Sequence, residues 1–299
     1  MMIDNTQGNM GIEPNTFYNL RFLNAGGGLL HEVTNYTANS YTWAEVGLDK
    51  DLILMQFENS ITDEAGNVWT ATGNPSYTEG KVQNKAIRFN SDGNLTCLTS
   101  TTPDLNFAEN IDFTIEFWLR RQATNVEFGT IIANNQSSWD SNCRFLMIYD
   151  NYVSNRQNGQ LAFGGNGIGN ANDVLLSQTA LEVNTWYHVA ITRAGSLYTL
   201  YINGLKEASY TDTINFNFGL GGTLLGRNKW DGNNGLFSGD IDQLRISRGA
   251  LYGKNFTPTT EFYEFNAGST LNRVVNIELE AVRDGLTSLQ KHQFTIKRT

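Results

Sequence analysis

Acidic residues at alternate positions of a strand are candidate catalytic residues, because their side chains share one face of the sheet. Two carboxylates on one strand face can act as acid and nucleophile across a glycosidic bond. Glu278 and Glu280 have this spacing, but they alternate with Ile277 and Leu279, which is the pattern of a solvated outer face. An acidic series longer than a pair, such as E-x-D-x-x-E, does not occur in the sequence. A nucleophile elbow and a glycine-rich phosphate loop are also absent from it. These patterns argue against an enzyme.

Asp242 is the acidic residue whose position demands a partner. It lies in the segment DIDQLRI (240–246), where a period of two places it on the same face as Leu244 and Ile246. Burying an unpaired charge on such an apolar face is very costly. One solution is a hard cation such as Ca²⁺, which binds carboxylate oxygens. The alternative is hydrogen bonding to the backbone or to Arg or Lys, without a metal.

Three polar loop segments combine an aromatic ring with acidic neighbours. The candidate ligand-binding residues are Trp139 with Asp140, Trp230 with Asp231, and Tyr152. A loop Trp offers a flat apolar face that can cover a sugar ring, while Asp binds its hydroxyls. The alternative is that each ring folds back as a loop anchor. Trp69, Trp118 and Trp186 lie in or beside strand patterns, which favours packing in the core or on a sheet face.

Cysteine and histidine spacing gives no metal site. Cys97 and Cys143 allow one disulfide at most and do not fit a C-x-x-C pattern. We predict that they are free, partly buried thiols. The three histidines are far apart in the sequence, which argues against a His-based metal centre.

Net charge excludes two classes of partner. The 299 residues include 30 acidic and 21 basic side chains, for a formal charge of −9. Nucleic acids and anionic membranes bind basic surfaces, so neither is expected here. There is no run of 18 apolar residues, so no membrane insertion is expected. The first twenty residues lack an apolar stretch, which predicts that no secretory signal peptide is present.

Strand patterns dominate the elements that must position these residues. Phe113, Ile115, Phe117 and Leu119 alternate with more polar neighbours, and the same period recurs over 187–191 and 198–202. Turn signals follow at 194–196 and at Asn203-Gly204, and 29 glycines punctuate the chain. Together these features predict an all-β fold with long polar loops.

The two chain ends hold a few short strands each. Apolar residues alternate over 18–22 and 275–281, and a further strand pattern covers 294–296. Neither end has enough strands to be stable alone. We therefore predict one small β domain formed from both ends.

Five segments of the centre resemble laminin-G-like (concanavalin A-like) jelly-roll domains. They are 52–73, 81–96, DFTIEFWLR (112–120), WYHVAITRAGSLYTLYINGLK (186–206) and GDIDQLRISRGALYGKNFTP (239–258). The fourth is the most specific. Their order and spacing agree with the family from about Asp51 to Tyr263. The resemblance implies a jelly-roll sandwich and, in many relatives, a calcium near Asp242 with Glu58 or Asp63 as further ligands.

The last of those segments looks particularly like the versions in phage tail proteins. The segments 18–43 and 272–298 are similar to strands of fibronectin-III-like modules in tail-tip proteins. In this interpretation the jelly roll, residues 51–264, is inserted into a module formed by 1–50 and 265–299. The first strands of that module are missing before Tyr18, so the small domain is either incomplete or completed by another chain.

The resemblance and the candidate residues together predict a non-catalytic adhesion module on a virion tail or another extracellular surface. Its expected partners are a host-surface glycan or protein, other tail proteins, and further copies of itself in a homo-oligomer. A purely structural virion component and a polysaccharide-degrading enzyme are the alternatives.

Overall fold

A computed structural model describes most of the central region and the strands near both ends. The described residues are 2–4, 17–23, 29–36, 40–42, 50–82, 84–90, 97–107, 111–122, 127–138, 142–149, 156–165, 173–212, 216–229, 235–265, 273–283 and 286–296. For the strands before residue 50 and after residue 272, the description covers backbone and register.

Every regular element among these residues is a strand. In chain order they are β1 Met2–Asp4, β2 Phe17–Leu23, β3 Leu29–Tyr36, β4 Ser40–Thr42, β5 Asp51–Met55, β6 Thr70–Thr72, β7 Ser76–Glu79, β8 Lys85–Phe89, β9 Cys97–Ser100, β10 Asn106–Phe107, β11 Phe113–Arg121, β12 Phe128–Asn134, β13 Phe145–Tyr149, β14 Gln160–Gly164, β15 Asp173–Ala180, β16 Trp186–Ala194, β17 Leu197–Ile202, β18 Leu205–Thr211, β19 Phe216–Asn217, β20 Thr223–Leu225, β21 Gly239–Arg248, β22 Arg273–Arg283 and β23 Leu286–Ile296. The all-β prediction is confirmed.

Two large antiparallel sheets form the central sandwich. The eight-stranded sheet has the order β18-β17-β16-β11-β21-β8-β7, and β5 also pairs with β21. The seven-stranded sheet has the order β15-β14-β13-β12-β20-β9-β6. Each sheet combines consecutive hairpin strands with neighbours that are distant in the chain, such as β11 beside β21 and β12 beside β20, as a jelly roll requires. The predicted sandwich is therefore present.

Aromatic rings fill the space between the two sheets. Phe107 stacks on Phe113 with 4.3 Å between ring centroids, and Phe163 stacks on Phe216 at 4.4 Å. All four are almost completely buried. Each buried Phe stabilises the fold by about 1.5–3 kcal/mol. The inward side chains of β11 are those that the alternation predicted: Phe113, Ile115, Phe117 and Leu119.

The seven-stranded sheet also buries apolar residues on its other face. Along β13, Leu146 and Ile148 point into the main core, whereas Phe145, Met147 and Tyr149 form a second buried cluster. Cys143 belongs to this cluster, and Cys97 is buried as well. Neither cysteine forms a disulfide, as predicted.

The Asn203-Gly204 turn between β17 and β18 was predicted from the dipeptide alone. Both residues have positive φ, 50° and 76°, as the tight hairpin requires. The amide of Phe256 donates to the carbonyl of Gly204 at 3.0 Å, and a Cβ on Gly204 would lie 1.9 Å from the Phe256 carbonyl oxygen. The turn therefore also serves as a docking point for the segment after β21.

Strands from the two chain ends share one four-stranded sheet. Its order is β23-β22-β2-β3, and all seven residues of β2 pair with β22. A separate pair joins β1 to β4. This pairing joins strands from the two ends, while the small domain formed from both ends, its fibronectin-III-like character and the domain boundaries stay predictions.

No helix in the described part of the chain is long and apolar enough to cross a membrane.

Candidate functional site

A β-bulge in β21 decides which face Asp242 occupies. In the pairing with β11, Trp118 lies opposite Asp242, yet Glu116 lies opposite Arg245, so β21 carries one extra residue there. Gln243 absorbs it with a φ of 55°. Ile241, Leu244 and Ile246 all lie in the core, and this is possible only because the bulge reverses the alternation. The prediction that Asp242 shares a face with Leu244 and Ile246 is therefore wrong, since Asp242 points to the outer face of the eight-stranded sheet.

Asp242 is nevertheless fully buried. Its Oδ2 accepts hydrogen bonds from the backbone amides of Lys81 and Val82, both at 2.8 Å, whereas its Oδ1 has no partner among the described residues. Burial raises the pKa of Asp242 to about 7, and the nearby charge of Glu58 adds to the rise. The amide-bonded alternative thus accounts for one carboxylate oxygen and leaves the other free.

Glu58 holds the same turn from a second side. Its Oε1 accepts the amides of Asn84, at 3.1 Å, and Lys85, at 3.0 Å. Glu58 and Asp242 together therefore fix the connection between β7 and β8. The two carboxylates lie close enough to interact, so they are the pair of predicted calcium ligands that the fold brings together.

Asp63 is the predicted calcium ligand that does not fit. Both of its oxygens are occupied by hydrogen bonds of 2.8–3.0 Å. The donors are the Leu54 and Ala65 amides, the Asn67 side chain and the Trp69 indole. A carboxylate offers about four acceptor positions, and Asp63 uses all of them inside its own turn. No trio of His, Cys, Asp or Glu suited to a metal occurs in the described ranges, so the calcium prediction now rests on Asp242 and Glu58.

The predicted ligand-binding residues of the loops lie outside the described residues. They are Trp139, Asp140, Tyr152, Trp230 and Asp231. The strands on either side of these loops are described, so the point at which each loop meets the sheet is known.

The three loops leave the seven-stranded sheet from two different ends. The first follows Asn134, the last residue of β12. The second follows Tyr149, which pairs with Phe128 at the start of β12. The third ends at Gly235, whose carbonyl accepts the Thr130 amide near that same start. The two ends of β12 are about 20 Å apart. The loops with Tyr152 and Trp230 therefore share an end, and the loop with Trp139 starts from the opposite one.

Glu116 centres a buried ionic network that the sequence interpretation missed. Its Oε1 accepts two hydrogen bonds from the Arg245 guanidinium. Its Oε2 accepts from the hydroxyls of Tyr252, at 2.7 Å, and Tyr263, at 3.2 Å, and lies 3.3 Å from His188 Nε2. Burial acts to raise the pKa of Glu116, but the charges of Arg245 and His188 outweigh it and lower the pKa to about 2.

This network fastens the segment after β21 onto the sheet. The rings of Tyr252 and Phe256 stack 3.5 Å apart, and the Arg245 guanidinium lies 4.2 Å from the centre of the Tyr263 ring. The carboxylate of Glu116 is fully buried. A fully buried carboxylate reaches no substrate, and removal of one partner of such an ion pair would leave an uncompensated charge. The sequence signal was the single acid within the strand FTIEFWLR, which needs a cation that only the fold identifies.

Asp240 forms a second buried ionic cluster on the same face. Arg88 donates to its two oxygens at 2.7 and 2.9 Å, and Arg120 donates at 2.8 Å. The guanidinium of Arg120 also lies 4.7 Å from the centre of the Trp186 ring. Trp186 was assigned to packing from its strand pattern, and the structure places it at the end of this cluster, half-buried.

A family model described as the concanavalin A-like lectin/glucanases superfamily matches residues 92–255, more than half of the chain. This chain belongs to the concanavalin A-like lectin/glucanase superfamily. The match includes the strands that carry Glu116, Asp240 and Asp242. A comparison of this concanavalin-like chain with curated protein sequences gave no match.

Several solved structures are similar to this concanavalin-like chain at low identity. Domain 4 of AbnA, an extracellular GH43 arabinanase from Geobacillus stearothermophilus, in complex with arabinotriose, is 23% identical with a TM-score of 0.52, over 68% of this chain and 95% of that domain. The binding domain of Paraclostridial Mosquitocidal Protein 1 is 21% identical with a TM-score of 0.49, and the match spans 68% of this chain and about half, 49%, of that one. The receptor-binding domain of botulinum neurotoxin D is 14% identical, with a TM-score of 0.47 over 80% of this chain and 74% of that one.

Proposed function

We propose that this chain is a non-catalytic binding domain that holds a glycan or a protein of a host cell surface. The superfamily name covers lectins and glucanases, so the carboxylates decide between binding and cleavage. Glu116, Asp240 and Asp242 are fully buried. A glycosidase needs a pair of carboxylates that reaches the scissile bond. The burial of these three on the outer face of the eight-stranded sheet is the observation that carries the proposal of binding.

The arabinanase domain supports a saccharide ligand in particular. That domain has the same fold and was solved in complex with arabinotriose, an oligosaccharide. The aromatic residues of the polar loops are the proposed contacts of this chain: Trp230 and Tyr152, whose loops meet one end of β12, and Trp139, whose loop begins at the other end, as a separate contact region. Their rings would cover sugar faces, and Asp140 and Asp231 would bind hydroxyl groups.

The biological setting that we propose is a phage tail. It rests on the resemblance of 18–43, 248–258 and 272–298 to segments of tail proteins. The sheet shared by β2 and β22 would attach the sandwich to the tail, and several copies would present it to the host. Other tail proteins and further copies of this chain are then its partners, and the virion surface is its location.

A glycan array together with a host-cell binding assay tests this function. The intact chain is expected to bind, and Trp139→Ala with Trp230→Ala is expected to weaken binding at least tenfold while the melting temperature stays the same. Unchanged binding by the double variant would overturn the assignment of these residues. If the intact chain bound neither glycans nor cells, the adhesion function itself would be wrong.

A further inference from the structure

A line of charged and aromatic residues crosses the outer face of the eight-stranded sheet. Arg88, Asp240, Arg120 and Trp186 lie directly opposite one another on the adjacent strands β8, β21, β11 and β16. We call these four residues the Arg88–Trp186 row. Neighbouring strands are about 4.8 Å apart, so the row is about 14 Å long. That length suits a short oligosaccharide lying across the strands.

Asp240 fixes the two guanidiniums of the row in place. It is fully buried, and it accepts hydrogen bonds from both Arg88 and Arg120. Arg120 is held further by the hydroxyl of Thr78 at 3.4 Å and the carbonyl of Glu79 at 3.3 Å. Groups that are already immobile lose little conformational entropy when a ligand binds. The row is thus preorganised.

Both guanidiniums retain donors that the described protein atoms do not use. Arg88 contacts Asp240 through Nε and Nη2, and Arg120 uses Nε and Nη2, so Nη1 of each makes no hydrogen bond to the described residues. Their side chains are 30% and 18% exposed. Guanidinium N–H groups bind carboxylates in preference to neutral groups.

Aromatic rings and a further cation lie beside these donors. Trp186 is half-buried at the end of the row. Lys81, in the loop between β7 and β8, is exposed, and its ammonium lies 5.1 Å from the centre of the Trp118 ring. The indole N–H of Trp118 has no partner among the described residues, although Trp118 is only 6% exposed. Arg88, Arg120 and Lys81 thus supply three cationic groups, while the acids beside them, Asp240 and Asp242, are fully buried and Glu58 binds the backbone amides of Asn84 and Lys85.

We propose that the Arg88–Trp186 row and Lys81 bind a carboxylate-bearing sugar, such as a uronic or sialic acid, within a surface glycan. The inference rests on the proposed glycan-binding function and specifies the ligand class. The unused guanidinium donors carry it, because Nη1 of Arg88 and Nη1 of Arg120 make no hydrogen bond to the described residues and a carboxylate is their strongest acceptor. The carboxylate would bind the free guanidinium donors, and the apolar face of the sugar would contact Trp186.

Matched acidic and neutral sugars test the ligand class on the full chain. The probes are oligogalacturonate against its carboxyl-reduced neutral form, and sialyllactose against lactose, each titrated by calorimetry. At least one acidic probe is expected to bind at least tenfold more tightly than its neutral counterpart. Its binding should weaken several-fold between about 50 and 300 mM NaCl, because salt screens exposed charges.

Three variants locate the site. Arg120→Gln combined with Asp240→Asn removes opposite charges together, so no lone carboxylate stays buried, and it should weaken binding of the acidic probe at least tenfold. Lys81→Gln changes an exposed side chain, and about a threefold loss is expected. Lys206→Gln is the matched control, on an exposed lysine of β18, and should bind as the parent does. A melting curve for each variant separates lost binding from lost folding.

The outcomes separate this inference from the proposed function. Equal affinity for acidic and neutral probes, or acidic binding that is unaffected by both Lys81→Gln and the Arg120–Asp240 double variant, would overturn the carboxylate subsite. If the array showed binding of neutral glycans only, the adhesion function would stand and the subsite would fall. If no glycan and no cell bound, both would fall.

Discussion

At the scale of single residues, buried carboxylates separate what the sequence predicts from what only the fold shows. The sequence identified Asp242 as an acid that needs a partner, and the structure finds it buried with one oxygen unpaired. It missed Glu116, because Arg245 and Tyr252 lie more than a hundred residues away. Partners of that kind follow from tertiary pairing and not from local spacing.

Replacing Glu116 tests the charge network. Glu116→Gln leaves the part-buried Arg245 without its counter-ion, and we expect a loss of about 3 kcal/mol in the free energy of unfolding, the lower end of the range for a broken buried ion pair. Denaturant unfolding at pH 7 measures it. The exposed Glu64 provides the control, and Glu64→Gln should change stability by less than about 0.5 kcal/mol. Similar small effects for both variants would contradict the role of Glu116.

Glu116 and Asp242 predict opposite trends of stability with pH. The folded-state pKa of Glu116, about 2, lies below its ordinary 4.5, so its contribution is present above pH 4.5 and is lost as the pH falls towards 2. The folded-state pKa of Asp242, about 7, lies above its ordinary 3.8, so its contribution is complete below pH 3.8 and is lost as the pH rises through 7. Stability should therefore decline from about pH 5 to pH 8 by up to roughly 3 kcal/mol, and Asp242→Asn should remove that decline. An equal decline in the parent chain and in Asp242→Asn would show that Asp242 does not cause the pH dependence.

Calcium binding at Asp242 and Glu58 has a distinct signature. A cation beside the unpaired Oδ1 would offset the cost of burying this charge. Millimolar Ca²⁺ at pH 8 should raise the melting temperature of the parent chain, a chelator should reverse the rise, and Asp242→Asn should show none of it. A hundredfold excess over Kd corresponds to about 2.7 kcal/mol. A melting temperature that is insensitive to Ca²⁺ and chelator would leave Asp242 as a hydrogen-bonded buried acid.

At the scale of elements, strand alternation and the Asn-Gly turn could be predicted from the sequence, whereas the bulge in β21 could not. The pattern of β11 gave its inward face correctly. The hairpin after β17 follows from the dipeptide Asn203-Gly204. Gln243 adopts a positive φ that its residue type does not suggest, so no residue in this segment indicates that the alternation reverses there.

Alanine substitutions at two glycines with positive φ distinguish the cost of backbone strain from the cost of a steric clash. Gly204→Ala would place a Cβ against the Phe256 carbonyl oxygen, whereas Gly195→Ala meets nothing within 4 Å. Both variants carry the cost of a left-handed residue, about 1–2 kcal/mol. We expect Gly204→Ala to lose at least 2 kcal/mol more than Gly195→Ala in chemical denaturation, roughly the cost of disturbing a packed contact. Equal losses would show that the segment after β21 does not dock on this turn.

At the scale of the whole molecule, the fold was predictable and the ligand was not. The jelly roll follows from strand periodicity together with five segments in family order, and the superfamily match agrees with it. The pairing of β2 with β22 joins strands from the two ends, and the small domain that the sequence suggests there stays a prediction. A ligand depends on side chains that meet across strands, such as Arg88, Arg120 and Trp186, and no local pattern links those three.

Binding without cleavage is the central claim, and one measurement tests it most directly. The intact chain is incubated overnight with the glycan that binds most tightly on the array, and bound glycan and newly formed reducing ends are measured in the same sample. We predict saturable binding with no rise in reducing ends above a protein-free control. Release of reducing ends that scales with protein concentration would contradict the account and place the chain among the glucanases of its superfamily.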